Sequence, residues 1–173
     1  MSTKTTYFYR SLLFCILACS HGARANENVE LAKLEKPFKV AVVKNAPGSD
    51  AIMSGELVEG ASELASATMD AATQYEKAMG LCALNIKTKD YAAADSACSD
   101  AIQALAGIEK DSETLRYLSA MAYSNRAIVR YFMSDTLGAY SDLNRALEFS
   151  QDEIVMGNLT RLNVAYLKSQ VSP

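Results

Sequence analysis

Apolar residues recur three and four positions apart along most of the chain after residue 48, which is the spacing of one helix face. Tyr123, Ala127, Ile128 and Tyr131 would share such a face, and no proline interrupts the pattern before the last residue. Gly, Ser and Asp residues mark the breaks between periodic segments. The pattern therefore predicts an all-α fold, with helices at 49–54, 56–68, 70–87, 91–106, 112–133, 136–149 and 151–170.

A different pattern precedes the helices. Residues 38–43 include three valines, which is typical of an extended backbone, and residues 45–48 form a turn signal with proline and glycine. No second strand-like run is present to pair with this one. We therefore expect residues 26–48 to form an extended N-terminal arm, in which 38–43 pack on the helices as a strap.

The first 25 residues have the features of an export signal. Cationic residues precede an apolar run at 12–19, which is too short to cross a bilayer, and an Ala-x-Ala cleavage site ends at Ala25. Cleavage there would release a mature chain, without a transmembrane helix, into the periplasm of a Gram-negative bacterium or outside the cell. The alternative is a lipid anchor on Cys19, although the residues before it fit a lipobox poorly.

Two cysteines, Cys82 and Cys98, remain after cleavage and are predicted to form a disulfide. An oxidising compartment favours their pairing. The turn signal at Asp90 lies midway between them, so an antiparallel helical hairpin would bring the two side chains level with one another. The alternative is a pair of free thiols in the core. A redox motif is not expected, because the C-x-x-C spacing is absent.

Two helix–turn–helix segments of the sequence repeat at an offset of 45 residues. Residues 89–102 align with 134–147 at the turn and at the small and large apolar positions of the following helix, and residues 55–67 form a weaker third copy. Repetition at this scale is typical of a stacked helical solenoid.

These repeated residues resemble a known family. The segment Asn125-Arg126-Ala127-Ile128-Val129-Arg130, the turn at Ser134-Asp135 and the apolar positions Ala139, Leu143, Ala146 and Leu147 resemble a tetratricopeptide repeat (TPR). Residues 75–106 are similar to a second copy, and residues 151–170 to the first helix of a third. The chain departs from the family pattern at Ala127, Arg130 and Gln151, where glycine, tyrosine and proline are usual. The resemblance implies a short helical-hairpin solenoid over 49–173, with about two full repeats and partial helices at both ends.

The resemblance also implies a binding surface. In this family the first helix of each repeat lines a concave groove that holds a peptide or a partner protein, so we expect a non-catalytic protein–protein interaction module. The residues expected to contact the partner are Met121, Asn125, Ile128, Phe132, Thr160, Arg161 and Val164, with Met79, Ala83 and Ile86 from the earlier repeat. The alternative places Met121 and Ile128 in the core and lets Asn125 bridge neighbouring helices.

Composition and motifs favour binding over catalysis. The chain has 17 Lys and Arg residues against 20 Asp and Glu, which argues against nucleic acid as a partner. The only histidine lies in the predicted leader, and no nucleotide-binding loop, nucleophile elbow or metal-binding motif occurs, so no cofactor or metal is expected. Glu56, Glu59 and Glu63 could share a helix face. They keep open, as the alternative, a carboxylate-based envelope enzyme or a small-ligand-binding protein on a degenerate helical scaffold. The oligomeric state is left open.

Two short motifs lie near the last helix. Ser150 and Glu153 predict a capping box, in which each side chain would accept the free backbone N–H of the other residue. Asn158-Leu159-Thr160 matches the glycosylation sequon, which we interpret as a chance match in a bacterial exported protein.

Overall fold

Seven helices follow a short extended segment in the computed structural model, which describes residues 37–108 and 112–171. The predicted leader 1–25, with Cys19, and the arm residues 26–36 lie outside the described part of the chain. The helices are α1 (Ser49–Ser54), α2 (Leu57–Ser66), α3 (Gln74–Thr88), α4 (Tyr91–Ala106), α5 (Glu113–Phe132), α6 (Thr136–Phe149) and α7 (Glu153–Val171). The described residues contain no β-strand, which confirms the all-α prediction. None of their helices is long and apolar enough to cross a membrane.

The observed helix bounds differ from the predicted ones by at most two residues, except at the start of α3. There the Asp70 carboxylate accepts hydrogen bonds from the backbone N–H and the hydroxyl of Thr73, at 2.9 and 2.7 Å. The bond from the Thr73 hydroxyl is the main reason why the pKa of Asp70 lies below its ordinary value. These bonds close a turn, so the helix begins only at Gln74 rather than at residue 70.

The two turns that the repeat predicts are built in the same way. Lys89 and Ser134 adopt the left-handed conformation, with φ of 63° and 65°, and so end the helical path of α3 and α5. The next residue, Asp90 or Asp135, accepts with its carboxylate a backbone N–H of the following helix, at 3.2 and 2.9 Å. Aspartate is a favoured N-cap, so each turn ends one helix and starts the next within two residues.

The predicted capping box is wrong. Ser150 ends α6, where its N–H bonds to the carbonyl of Ala146. At the start of α7 the carboxylate of Asp152 accepts the N–H of Ile154 at 2.7 Å. Aspartate caps a helix as well as serine does, and Asp152 stands directly before the first residue of α7, so it takes the role that was predicted for Ser150.

Small buried residues allow α3 to α6 to pack closely. Four alanines have no exposed surface, namely Ala94 and Ala101 of α4 and Ala139 and Ala146 of α6. The disulfide between Cys82 and Cys98 joins α3 to α4 with a Cα–Cα distance of 4.8 Å, which confirms the predicted pairing. The two helices therefore form an antiparallel hairpin about the turn at Asp90.

Three helices form the layer that carries the candidate site. α5 lies against both α3 and α7, while α4 packs against α3 and α5, and α6 packs against α5 and α7. The main hydrophobic core draws its buried residues from all five of these helices and from Ala41 of the segment that precedes α1. α5 is thus the central helix, and residues on its free side face the extended segment that precedes α1.

Candidate functional site

Residues 37–43, which we call the strap, lie across α7, α5 and α3 in an extended conformation. No strand of the described residues lies beside the strap, so its backbone N–H and C=O groups need other partners wherever water is excluded. Within 37–108 and 112–171, the segment therefore packs on the helices as a strap, as expected, and not in a sheet.

Asn125 of α5 supplies one set of partners. Its side-chain nitrogen donates to the carbonyl of Ala41 and its side-chain oxygen accepts the N–H of Ala41, both at 2.8 Å. Asn125 has no exposed surface and Ala41 is 7% exposed. A carboxamide presents one acceptor beside two donors, so it can pair with both polar groups of one residue, as a neighbouring strand would.

Asn158 of α7 repeats this arrangement two residues earlier in the strap. Its side chain accepts the N–H of Lys39 and donates to the carbonyl of Lys39, each at 2.9 Å. The same nitrogen also donates to the Ser124 hydroxyl at 3.0 Å, and the Arg161 guanidinium lies 3.4 Å from the Asn158 oxygen. These neighbours fix which end of the carboxamide is the donor and which is the acceptor.

The spacing of the two asparagines fits an extended chain. The backbone N–H and C=O groups of Lys39 and Ala41 point toward the same edge of the strap. Two residues of extended backbone span about 6.6 Å. The axes of packed helices lie about 8–10 Å apart, which is somewhat more than this two-residue spacing. Asparagine side chains that lean toward each other from two neighbouring helices can therefore reach residues two positions apart in the strap. The site therefore binds backbone atoms at alternate positions and leaves the side chains of residues 38, 40 and 42 to other contacts.

Phe38 anchors one end of the strap in an aromatic cluster. Its ring centroid lies 5.2 Å from that of Tyr131 and 6.0 Å from that of Phe132, and Phe132 stacks on Tyr91 at 5.0 Å. Aromatic pairs at these distances stabilise by about 0.5–1.5 kcal/mol beyond the area they bury. The cluster therefore gives Phe38 an apolar contact of defined geometry at this end of the strap.

A cavity of about 210 Å³ lies beside the other end of the strap. Its walls are the strap residues Val40, Ala41 and Val42 and the side chains of Met53, Met79, Tyr117, Leu118, Met121 and Ile154. Burial, and secondly the nearby Asp152 carboxylate, raise the pKa of the Tyr117 hydroxyl. The cavity wall is otherwise mainly aliphatic and sulfur-containing, so it suits an apolar group.

A buried ion network holds α5 in place beneath the strap. Arg126 makes two hydrogen bonds of 2.8 Å to the carboxylate of Asp142 and one of 3.1 Å to the Ser99 hydroxyl. Arg130 lies 3.0 Å from the same carboxylate and 3.9 Å from Asp95. The hydrogen bond with Asp142 is the main cause that raises the pKa of Arg126. Because Arg126 follows Asn125 directly, the network fixes the rotation of α5 that points Asn125 at the strap.

The structure brings part of the predicted partner-binding set together at the strap. Asn125 bonds to Ala41, Phe132 contacts Phe38, Met121 lines the cavity, and Arg161 lies beside Asn158.

The remaining predicted residues bear on the alternative in which they belong to the core. Met121, Ile128 and Val164 are buried, in keeping with the core alternative for the first two. Asn125 bonds to the strap and not to a neighbouring helix, so the bridging alternative is wrong. Among the expected residues of the earlier repeat, Met79 lines the cavity, and Ala83 and Ile86 are buried.

Thr160 is separated from the strap. It stands two residues after Asn158, which places it about 200° further round the helix. Its hydroxyl bonds to the Met156 carbonyl of its own helix at 2.9 Å, and the side chain is exposed.

Sequence reasoning missed Asn158. The sequence analysis considered Asn158 only as part of a chance glycosylation sequon. In the structure its side chain makes two hydrogen bonds with the backbone of Lys39 in the strap. One signal was present: Asn158 lies 33 residues after Asn125, close to the 34-residue period of the resembled family. A comparison of the two helices at that offset would have paired the asparagines.

The three glutamates considered for acid–base chemistry do not converge. Glu63 accepts the N–H of Gly48 at 2.9 Å, and Glu56 lies 3.3 Å from the Ser54 hydroxyl. Glu59 is exposed on α2. In the described part of the chain, no three His, Cys, Asp or Glu side chains are placed to hold a metal ion.

Comparison with protein-family models, with curated proteins and with solved structures finds no match to this chain.

Proposed function

We propose that the chain is a non-catalytic interaction module of TPR-like architecture, which binds an extended peptide or partner-protein segment on the layer of α3, α5 and α7. The observation that carries the proposal is the pair of asparagine side chains that hold an extended backbone at alternate residues. The strap shows the chemistry of this surface, because it is itself an extended peptide that lies there.

Backbone recognition of this kind would give affinity without strict sequence demands. Each carboxamide makes two hydrogen bonds, and a neutral hydrogen bond contributes about 0.5–1.5 kcal/mol net. The aromatic cluster at Phe132 and the apolar cavity beside Met121 would then select side chains. Peptides that bind by strand addition are recognised in the same way: main-chain hydrogen bonds give affinity, and pockets for alternate side chains give selectivity.

The solenoid part of the proposal rests on the repeated construction of the chain. The turns at Lys89-Asp90 and Ser134-Asp135 share their backbone conformation and their aspartate caps. The helices that follow them bury alanines at matching positions. A chain built from such units exposes one face of each first helix along a common surface.

We place this function outside the cytoplasm, in the periplasm or the extracellular space. The disulfide between Cys82 and Cys98 supports this, because structural disulfides persist in oxidising compartments. The signal-like leader points in the same direction, and the acidic composition favours a protein partner over nucleic acid.

Site-specific photo-crosslinking tests the proposal. Tyr117 borders the cavity and is 40% exposed, so a benzophenone amino acid there reports on the strap side of the layer. Leu137 of α6 is 84% exposed and serves as the matched control position. The full chain would be expressed at its natural level and irradiated, and the adducts would be mapped by mass spectrometry.

The expected result is an adduct from Tyr117 only, which maps to one segment of one protein. A synthetic peptide of that segment should then bind the purified chain. In the Phe38→Ala variant, whose strap lacks its aromatic anchor, the peptide should lose affinity when Asn125→Ala is added. Equal adducts from both positions, or a mapped peptide that does not bind, would contradict the proposed function.

A further inference from the structure

We infer that the strap is an exchangeable occupant, and that the surface accepts in its place an extended segment of another protein with the same side-chain pattern. That pattern is aromatic at the position of Phe38, β-branched at Val40 and Val42, and small at Ala41. The inference rests on the proposed function, to which it adds the kind of segment that binds and the competitor that it must displace.

The strap is attached by few directional contacts. Within the described residues, only Lys39 and Ala41 form backbone hydrogen bonds to the helices, while Val40 and Val42 form none. The ion pair between Lys39 and Glu153 spans 3.6 Å with side chains 50% and 93% exposed, so it contributes little. A segment held in this way can open without unfolding the helices beneath it.

A firmly held residue separates the strap from α1. Gly48 donates its N–H to Glu63 at 2.9 Å and has a φ of 73°, which glycine adopts readily. A Cβ atom at Gly48 would lie 2.7 Å from the carbonyl oxygen of Gly60, so α2 packs directly on this backbone. Release of residues 37–43 would therefore keep the Gly48 contacts between α1 and α2, while it would uncover the cluster of Ile52 and Leu64 on which Val40 and Val42 pack.

The contacts of the strap define what a competing segment must present. The bonds that Asn125 and Asn158 make to the strap all go to its backbone atoms. The positions of Ala41 and Lys39 therefore tolerate different side chains but exclude proline, which lacks the N–H. Burial of Ala41 restricts that position further to a small residue. The position of Phe38 selects an aromatic ring because it faces Tyr131 and Phe132.

Competition between the strap and such a segment has a quantitative consequence. A tethered strap acts at an effective concentration in the millimolar range, so it occupies the surface most of the time. The apparent dissociation constant of the incoming segment is raised by the reciprocal of the open fraction. A substitution that weakens only the strap must therefore tighten binding of the external segment. A substitution in the asparagines weakens the strap and the external segment alike, so it weakens binding of the segment only in a variant whose strap is already released.

The test uses the full chain and a fluorescein-labelled peptide with the sequence of residues 37–44, followed by fluorescence anisotropy. Phe38→Ala removes the aromatic anchor of the strap and changes no residue of the helices. We expect this variant to bind the peptide roughly tenfold or more tightly than the unsubstituted chain. Addition of Asn125→Ala to Phe38→Ala should abolish the gain.

Two modified peptides provide the matched control. N-methylation at the residue that corresponds to Ala41 removes the N–H that Asn125 accepts, and should reduce affinity at least tenfold. N-methylation at the residue that corresponds to Val40 removes an N–H that makes no hydrogen bond to the described residues, and should change affinity about threefold or less. If Phe38→Ala lowers the helical content measured by circular dichroism, Lys39→Pro replaces it, because it removes one strap N–H at an exposed position.

Three outcomes would overturn the inference. The first is that neither Phe38→Ala nor Lys39→Pro gains affinity for the peptide. The second is equal affinity of the two N-methylated peptides. The third is a concentration-dependent dimer of the unsubstituted chain, because the strap of a second copy would then be the occupant. A crosslinked partner segment without the strap pattern would also overturn it, but would leave the proposed function standing.

Discussion

Asn125→Ala should separate the strap from α5 and lower the free energy of unfolding more than the same substitution at Asn158. Asn125 makes both of its bonds at 2.8 Å inside a buried site, so its removal leaves the N–H and the C=O of Ala41 without partners and without water. An orphaned buried polar group costs about 1–3 kcal/mol. Two such groups give an expected loss of about 2–4 kcal/mol, limited by the free energy with which the strap docks.

Asn158→Ala removes two bonds to Lys39 and one to the buried Ser124 hydroxyl. Lys39 is exposed, so water can replace the carboxamide there, and the expected loss is about 1–2 kcal/mol. Asn144→Ala on α6 is the matched control, because it makes the same change of side chain in a helix at an exposed position. Its effect should lie within about 0.5 kcal/mol of zero.

Urea denaturation of the three variants, followed by circular dichroism, measures these differences. The order of destabilisation should be Asn125→Ala, then Asn158→Ala, then Asn144→Ala. An Asn125→Ala variant as stable as the Asn144→Ala control would refute the reasoning, because it would mean that Ala41 does not depend on the carboxamide.

Three further predictions concern the frame that supports the strap. Reduction of the disulfide between Cys82 and Cys98, which are separated by 16 residues, should cost about 3 kcal/mol and lower the melting temperature by about 10 °C in calorimetry; an unchanged transition would contradict a stabilising bridge. Asp142→Asn should lower the free energy of unfolding, measured by urea denaturation, by about 3 kcal/mol, because it leaves Arg126 and Arg130 without their shared buried carboxylate. The control Glu148→Gln, at an exposed pair with Arg145, should lower it by less than about 0.5 kcal/mol. Burial is the main cause that raises the pKa of Tyr117 and of Tyr140, so the folded state holds these protons more tightly, and the free energy of unfolding should fall as the pH rises above about 10. A Tyr117→Phe variant whose alkaline decline is as steep as that of the unsubstituted chain would show that this hydroxyl does not contribute.

Local signals explain why the helices could be predicted from the sequence. The aspartates at 90 and 135 act within one turn of their own helices, and their capping bonds need no distant partner. The disulfide was predictable for the same reason, because Cys82 and Cys98 lie at equal distances from one turn. Asp70 and Asp152 show the limit of local reasoning: competing caps a few residues apart decided where α3 and α7 begin.

The candidate site depends on contacts that local patterns do not encode. The bond between Lys39 and Asn158 joins residues 119 positions apart, and that between Ala41 and Asn125 joins residues 84 apart. The resemblance pointed to the helix face that carries Asn125, but it did not reveal that the strap occupies this face. Thr160 was included from its position in the sequence, although the helix turns it away from Asn158.

Amide exchange in the strap tests the central claim most directly. In a full chain labelled with ¹⁵N, the N–H groups of Lys39 and Ala41 should exchange with solvent deuterium more slowly than those of Val40 and Val42, because only the first two bond to asparagines. Ala41 should be the slowest of the four, since it is the buried one. Uniformly fast exchange would mean that the strap is not held, and uniformly slow exchange would mean that it pairs in some other way; either result would contradict the account.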